Sequence, residues 1–292
     1  MAEARVAILG GSGLYEMDGL TGMHEVMPET PYGPPSDTIM IGDMAGVATA
    51  FLPRHGRGHR MMPTELPVRA NIYALKTLGV ERVISISAVG SLDENVHPME
   101  MVVPNQLIDR TRQRANTFFG DGLVAHVSFA DPFCATLSAA LSETAKEVGA
   151  TVHEGGTYVV MEGPAFSTRA ESLLYRSWGA KVIGMTALPE AKLAREAEMC
   201  YATLACATDY DSWRESEEPV SVEMVIANLS RNIATSKEIL QRLVPRLTWA
   251  RTCRCESALG NAIITDRDAI PREIRRRLAP LVGRYLDDRT ND

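Results

Sequence analysis

Two aspartates, Asp209 and Asp211, stand two positions apart directly after the uncharged segment 204–207. Side chains two positions apart in an extended chain point to the same side, so the two carboxyl groups face one place. Such a pair can bind a metal or cap the next element, but a third carboxylate or a histidine at metal-site spacing is not evident nearby. The pair therefore favours acid–base chemistry or recognition of the polar edge of a base.

Three segments that follow predicted strands are able to bind an anion. Glycine has no side chain to keep phosphate away from backbone N–H groups, and arginine matches phosphate with a planar fork of donors. A tight turn, a surface ion pair or a helix cap would explain any one segment alone, but three together favour a phosphate site. The residues concerned are Ser12 in the turn 10–13, Arg54 and His55, and Ser87 with the Ala88 amide in the predicted loop 87–92.

Two later strand ends carry groups suited to a nucleoside. Phe166 offers an aromatic face to a flat base, and the Ser167 hydroxyl offers a hydrogen bond to its edge. Met185 supplies a soft apolar side chain, and Thr186 supplies a further hydroxyl. The ordinary alternative is that the phenylalanine and the methionine belong to the core.

Alternation of apolar runs with helical periodicity predicts the elements that position these residues, and indicates an α/β fold with helices covering a mostly parallel sheet. The pattern weakens after about residue 245, no linker divides the chain, and we expect one domain over residues 1–292 with a C-terminal helical extension from about 245. Strands are predicted at 5–9, 38–41, 47–52, 82–87, 101–107, 151–161, 181–183 and 200–207, and helices at 63–78, 131–148, 169–178, 189–197, 221–243 and 271–286.

Charge and composition exclude several classes of partner. A net charge of −7 and a pI near 5.5 argue against a surface that binds nucleic acid or anionic lipid. No leader pattern or membrane-spanning run is evident, so we expect a cytoplasmic protein that binds no membrane.

Five cysteines in 292 residues do not make a disulfide scaffold, and reduced thiols are the simplest interpretation of Cys200, Cys253 and Cys255.

Eight ordered sequence blocks resemble the 5′-methylthioadenosine phosphorylase branch of the trimeric purine nucleoside phosphorylases. They are GGSGL, TPYGPPSD, RHGRGH, ANIYALK, SAVGSL, EGPAFSTRAES, VIGMTALPEA and CYATLACATDYDSW, and the match runs from about Val6 to the helix after Trp213. The resemblance implies a single domain built on a twisted mixed β-sheet flanked by helices. It also implies that phosphate attacks the anomeric carbon while the purine leaves, with phosphate as co-substrate and with no metal or organic cofactor.

The same resemblance assigns roles to individual positions. Asp209 would donate a proton toward purine N7, and Asp211 would accept from the exocyclic amine, which favours 6-aminopurines. His126 would complete the pocket of a neighbouring subunit, in a homotrimer or a dimer of trimers. The implied phosphate site comprises Ser12, Arg54, His55, Ser87, the Ala88 amide and Thr186; Met185 lies against the ribose; Phe166 and Ser167 lie near the base; and Val222 and Val225 line the pocket for the 5′ group.

Three departures from the family pattern stand out. Ser12 and Ser87 replace threonines common in relatives, and Ala165 replaces an arginine. The Cys253-Arg254-Cys255 segment is similar to a Cys-x-Cys found in heat-adapted relatives, so the resemblance allows a disulfide or redox role.

Several alternatives stay open at this point. The substrate could be a 5′-halogenated adenosine, because discrimination between two modest apolar substituents is only ~1–3 kcal/mol. Thioinosine and adenosine itself are further alternatives, although the aspartate pair argues against thioinosine. The chain could also be a nucleoside sensor without turnover, although Arg54, His55 and Asp209 are all retained. A dinucleotide-dependent oxidoreductase is disfavoured by the incomplete glycine fingerprint.

Overall fold

A computed structural model describes residues 2–11, 14, 19–214, 221–247 and 250–286. Within these residues, eleven strands form one mixed and branched sheet with helices on both faces. The strands are β1 (Val6–Gly10), β2 (Leu20–Val26), β3 (Ile39–Met44), β4 (Val47–Pro53), β5 (Arg82–Ser91), β6 (Met101–Val103), β7 (Gln106–Arg110), β8 (Val152–Glu154), β9 (Thr157–Met161), β10 (Ala180–Gly184) and β11 (Cys200–Asp209). The α-helices are α1 (Val68–Thr77), α2 (Ala135–Glu147), α3 (Arg169–Ser177), α4 (Ala187–Glu196), α5 (Val222–Leu243), α6 (Arg272–Arg277) and α7 (Ala279–Leu286).

The sheet branches at its central strand, β5. On one side, β11 runs parallel to β5 from the pair Cys200 and Arg82 to the pair Asp209 and Gly90. On the other side, parallel β1 pairs with β5 only as far as Ser85, and antiparallel β10 pairs with it only from Gly90. Among the described strands, residues 86–89 of β5 therefore have a neighbour on the β11 side alone. We call this open edge the notch.

Alternate residues of β1 enter two different cores, as the two-residue period of a strand requires. Ala7 and Leu9 pack in a first core with α1 and α4, whereas Val6 and Ile8 pack in a second core with α2 and α5. Strands buried on both faces are typical of α/β folds and explain why β1 reads as a continuous apolar run.

Residues after the long helix α5 complete the first core. Leu259, Ile270, Ile274, Leu278 and Leu281 are all buried in it. The 250–286 segment thus covers one face of the sheet with short 3₁₀ turns followed by α6 and α7.

Several predicted element boundaries were wrong, and two of them have a local cause in the backbone. The predicted strand 101–107 divides into β6 and β7 around Pro104, which has no N–H to donate to a sheet. The predicted strand 151–161 divides into β8 and β9 at Gly155 and Gly156, whose φ angles are +70° and +105°. The predicted helix 271–286 is two short helices, and the helix predicted from 63 starts at Val68 after a 3₁₀ turn.

Two strand predictions failed for reasons of pairing. The segment 87–91 is the end of β5 and not a loop, because β11 and β10 hold its backbone. The edge strand β2 was not predicted, because five of its seven residues are exposed and its sequence shows no apolar alternation.

Among the described helices, none combines the length and the apolar character needed to cross a bilayer.

Candidate active site

Both aspartates of the predicted pair are buried at the end of β11. Asp209 is the last residue of the strand, and Asp211 has a φ of +49°, which turns the chain sharply after the strand. The Asp209 Oδ2 atom accepts a hydrogen bond from the Thr208 hydroxyl at 2.7 Å, and Oδ1 accepts one from the Asp211 backbone N–H at 2.8 Å. By contrast, the Asp211 Oδ2 atom has no hydrogen-bond partner among the described residues.

The environment of the pair favours the protonated carboxyl. Burial raises the pKa of Asp209, and the nearby charge of Asp211 raises it further against the opposing effect of the hydrogen bonds from Thr208 and Asp211. Burial is also the main cause that raises the pKa of Asp211. Asp209 is therefore suited to hold a proton and to donate it.

Gly90 leaves the space that the aspartates occupy. It lies opposite Asp209 in the β5–β11 register, and a Cβ atom there would lie 2.9 Å from Asp209 Oδ1 and 3.1 Å from Asp211 Cβ. Both neighbours are buried and have little room to move. The sequence analysis named this glycine only as part of a predicted loop and assigned it no role.

The segment after the aspartates is fixed to three other elements. The Ser212 hydroxyl donates to the Ser167 carbonyl at 2.7 Å, and the Trp213 indole N–H donates to the Ser91 carbonyl at 2.8 Å. Arg176 stacks over the Trp213 ring at 3.6 Å. The Asn228 amide of α5 donates to the Thr208 carbonyl at 2.7 Å. The aspartate pair, the segment with Phe166 and Ser167 (the base segment) and the first half of α5 are thus held together.

Arg54 lies at the notch, with its guanidinium buried beneath it. One Nη1 N–H donates to the Ile86 carbonyl at 3.2 Å, and Nη2 donates to the Ser85 hydroxyl at 2.7 Å. The edge of the guanidinium formed by Nε and Nη2 pairs with Glu190. A guanidinium has five N–H donors, so the second Nη1 N–H is the one left for a ligand. Bidentate phosphate binding through the Glu190 edge is not available.

Glu190 of α4 fixes that arginine in a buried polar network. Its carboxylate also accepts from the Tyr201 hydroxyl at 2.8 Å and from the Ser85 hydroxyl at 3.2 Å. Burial alone would lower the pKa of Arg54, but the ion pair with Glu190 raises it, so the arginine stays charged. Sequence reasoning missed Glu190, which lies 136 positions from Arg54.

His55 is half-buried and lies beside Arg54. Its Nδ1 atom is 2.8 Å from the Met61 carbonyl, which can only accept, so Nδ1 carries a proton. Burial lowers the pKa of His55 to about 4, and the neighbouring charge of Arg54 contributes to that lowering. The imidazole is therefore neutral near pH 7, and its Nε2 atom is an acceptor.

Two predicted phosphate-binding hydroxyls are buried without a described partner. These are the Oγ atom of Ser87 in the notch and the Oγ1 atom of Thr186, two residues after β10. Burial raises the pKa of Tyr158, and the hydroxyls of Ser87 and Thr186 act in the opposite direction, so the three hydroxyls share one location. Native proteins rarely leave buried polar atoms unpaired, so these hydroxyls are available to pair with one another or with a ligand.

Arg114 connects the strand ends that carry the base and ribose residues. It donates to the carbonyls of Met185, Leu188 and Glu162, and its Nε atom pairs with the Glu162 carboxylate at 3.1 Å. Sequence reasoning missed this residue too, because its partners lie 47–74 positions away. Arg114 has no role in the predicted chemistry, but it positions Met185.

The remaining predicted residues fall into different places. Ser167 is buried at the base segment, whereas Phe166 is 40% exposed and Val222 is 59% exposed. Val225 lies one helical turn before Asn228, on the side of α5 that faces the end of β11. Ala88 is half-buried within β5, and Ser12 lies outside the described residues.

His126 is not brought to the other site residues within a single chain. It is exposed, and its backbone N–H donates to the Ala262 carbonyl at 2.8 Å. Its described neighbours belong to the 250–286 segment. Ala165 is exposed beside Phe166.

Comparison with known proteins gives consistent matches over nearly the whole chain. The family model for the phosphorylase superfamily matches residues 5–245. The S-methyl-5′-thioadenosine phosphorylase of Geobacter sulfurreducens is 58% identical over 97% of this chain and 100% of its own length. The enzyme of the same name from Koribacter versatilis is 51% identical over 98% of each chain.

Solved structures agree with these matches. A methylthioadenosine phosphorylase from an Antarctic soil metagenomic library has a TM-score of 0.92 and 49% identity, covering 96% of this chain and 99% of that one. Methylthioadenosine phosphorylase from Schistosoma mansoni, in complex with adenine, has a TM-score of 0.82 and 36% identity, covering 89% of this chain and 99% of that one. The mixed sheet and its flanking helices are therefore shared with these proteins.

Proposed function

Since this chain belongs to the phosphorylase superfamily, we propose that it is a phosphate-dependent pentosyltransferase that cleaves 5′-methylthioadenosine to adenine and 5-methylthioribose 1-phosphate. The observation that carries this proposal is the buried aspartate pair at the end of β11, in which burial raises the pKa of Asp209 and Asp211 keeps one buried oxygen unpaired.

Phosphate is proposed to bind at the notch. The unpaired hydroxyls of Ser87 and Thr186 and the remaining Nη1 N–H of Arg54 supply donors to its oxygens. Neutral His55 has an acceptor at Nε2, which suits the proton of monohydrogen phosphate. The Ala88 amide and the Ser12 hydroxyl complete the proposed set.

Bond cleavage builds positive charge on the sugar and negative charge on the departing purine, so the site must stabilise both. The phosphate dianion lies beside the sugar, and the Met185 side chain lies against one face of the ribose. Asp209 donates its proton toward N7 of the leaving base, and burial of this carboxyl supports that role by favouring the protonated form. The unpaired Asp211 oxygen accepts from the exocyclic amine, which a 6-oxopurine lacks.

The 5′ substituent is proposed to lie against α5. Val222 and Val225 offer apolar surface to a methylthio group, and an apolar wall resists a 5′-hydroxyl because the hydroxyl would lose its water. Val222 is 59% exposed in the single chain, so one subunit covers this pocket only in part. A homotrimer in which the partner subunit's His126 closes the pocket would complete it.

Phosphate-dependent product release is the direct test. Incubation with 5′-methylthioadenosine and phosphate should yield adenine in equimolar amount with the sugar phosphate, whereas incubation without phosphate should yield neither product. Equal adenine release without phosphate would identify a hydrolase, and no release in either reaction would indicate a sensor. Inosine and 5′-methylthioinosine are matched control substrates, because they present an oxygen to Asp211.

A further inference from the structure

Four of the five cysteines meet far from the aspartate pair. The Sγ atoms of Cys134, Cys200, Cys253 and Cys255 all lie within 4.8 Å of one another, and three of these residues are buried. The sequence analysis associated Cys200 with the Cys-x-Cys segment but did not expect Cys134. We call this group the thiol cluster.

We propose that the thiol cluster is a closed tetrahedral site for zinc, with all four sulfurs as ligands. Zinc binds thiolate at about 2.3 Å, which places the sulfurs of a regular tetrahedron about 3.8 Å apart. The observed separations reach 4.8 Å at most, and the sulfurs of Cys200 and Cys253 are 3.3 Å apart. Small side-chain adjustments therefore suffice to form the tetrahedron. This proposal departs from the sequence expectation of no metal.

The observed distances favour a metal over disulfides. An S–S bond is about 2.05 Å long, whereas the Sγ atoms of Cys200 and Cys253 are 3.3 Å apart. Two disulfides would also need only two close pairs, whereas here each sulfur is close to the other three. The sulfurs thus surround a common centre, as ligands do.

The ligands come from backbone that is already fixed. Cys134 immediately precedes α2, and its N–H donates to the Tyr201 carbonyl at 2.8 Å. Cys200 begins β11, and its N–H donates to the Glu81 carbonyl at 2.9 Å. The one residue between Cys253 and Cys255 is fewer than the two to four residues usual between ligand cysteines in zinc ribbons. The proposed site therefore also needs Cys134 and Cys200 from two other segments of the chain.

The local charge suits a tetrathiolate. Binding one zinc ion releases four thiol protons and leaves a net charge of −2 on the metal and its ligands. The charged residues lining the adjacent cleft, within the described parts of the chain, are Arg82, Arg246 and Arg251, and they also pair with Glu81, Glu147 and Glu256, respectively. Arg82 lies beside Cys200 in the β5–β11 register. Sulfur-only ligation in tetrahedral geometry selects zinc over the oxygen-seeking cations.

The position of the cluster assigns it a structural role. Cys200 and Asp209 begin and end the same strand, and at about 3.3 Å per residue they lie roughly 30 Å apart. Four protein ligands leave no open position for substrate or water, unlike a catalytic zinc. The metal would join the 250–286 segment to β11 and α2. The 250–286 segment lies outside the residues that match the superfamily, whereas β11 and α2 lie inside them.

Metal content and thiol reactivity test the proposal together. The full chain, expressed with zinc supplement and purified under reducing conditions without a histidine tag, should contain about one zinc per chain by elemental analysis. After the reductant is removed, chelation in denaturant should expose five reactive thiols. Zinc below about a tenth per chain, stoichiometric iron in its place, or fewer than five thiols would each overturn the assignment.

Variants and cobalt provide independent readouts. Cys255→Ser should weaken zinc binding at least ~100-fold, because loss of even an outer partner of a ligand costs about 10–100-fold. Cys206→Ser is the matched control, since Cys206 is buried in the same strand but lies outside the cluster, beside the Ser236 hydroxyl. If a variant fails to fold, Co²⁺ exchanged into the unaltered chain should show sulfur-to-metal charge transfer and intense tetrahedral d–d bands. A cobalt spectrum without thiolate bands would refute the site.

Discussion

Replacing Glu190 by glutamine tests whether the ion pair beneath the notch fixes the phosphate site. The side chains of Arg54 and Glu190 are only 3% and 2% exposed, so solvent hardly screens their charges. Glutamine keeps the shape but leaves the arginine as a buried charge without a countercharge. Breaking one side of a buried pair costs about 3–5 kcal/mol, which corresponds to a fall in Tm of roughly 6–10 °C in a chain of this size.

The same change should also impair phosphate binding. Without the Glu190 carboxylate, the guanidinium keeps only its hydrogen bonds to Ser85, Ile86 and Leu9, so it is held less firmly and its remaining Nη1 N–H is expected to move out of line with the ligand. One hydrogen bond to a charged group is worth about 1.5–3 kcal/mol, which predicts roughly a 10–100-fold rise in KM for phosphate. Thermal unfolding and initial rates at varied phosphate measure the two effects. A Tm within 2 °C of the unaltered protein and an unchanged KM would refute the reasoning.

Glu196→Gln is the matched control, because Glu196 lies on the same helix and is buried but accepts from neutral groups, the Thr117 hydroxyl and the Phe118 N–H. Burial raises the pKa of Glu196 from 4.5 to about 7. Between those values the folded chain binds a proton that the unfolded chain has lost, so stability falls as pH rises through this window. Glutamine mimics the protonated form. The variant should therefore be more stable than the unaltered protein at pH 8, and equal or lower Tm there would contradict this account.

Three further changes test the rest of the site. Asp209→Asn should lower kcat, because an amide is not an equivalent acid. Asp211→Asn should lower kcat with the 6-aminopurine substrate and also raise the relative rate with 6-oxopurine nucleosides. Identical kinetics for the two variants would show that the two aspartates do not have separate roles. Gly90→Ala should lower kcat/KM and cost about 1–3 kcal/mol of stability, since its Cβ would lie 2.9 Å from Asp209 Oδ1; unaltered kinetics would show that the pair can shift. Mixed oligomers of Asp209→Asn with His126→Trp should recover activity that neither parent has, and verified mixtures that stay inactive would exclude the shared pocket.

Local sequence predicted those parts of the site whose residues are close along the chain. Asp209 and Asp211 are two positions apart and both are buried at the end of β11, but Asp211 lies in a turn after the strand, with a φ of +49°, and not in the extended chain that the prediction assumed. The alternation of β1 between two cores likewise appears as a continuous apolar run. The residues at the predicted strand ends suggested Ser87 as a phosphate ligand and the family resemblance added Thr186; the hydroxyl oxygens of both are buried, and their binding of phosphate stays a prediction.

Long-range contacts account for what the sequence did not reveal. Glu190 pairs with Arg54 across 136 positions, and no local pattern marks it as a partner. Arg114 is similar, because apart from the Glu162 carboxylate its acceptors are backbone carbonyl groups, which do not depend on side-chain type. The notch itself arises because β1 stops pairing at Ser85 and β10 begins at Gly90, a property of three strands together.

Cysteine positions illustrate the same limit. Cys200 is 66 positions from Cys134 and 53 from Cys253, so only the fold shows that they meet. Spacing alone identified the Cys-x-Cys segment but not the partner at the start of α2.

The first core is closed by side chains that lie beyond the superfamily match. The superfamily match ends at residue 245, yet the apolar face above α1 and α4 is covered by side chains as distant as Leu278 and Leu281. A chain cut at that limit would expose a large apolar surface and would aggregate or recruit another chain. In this chain the 250–286 segment therefore keeps that face of the sheet from associating with other chains.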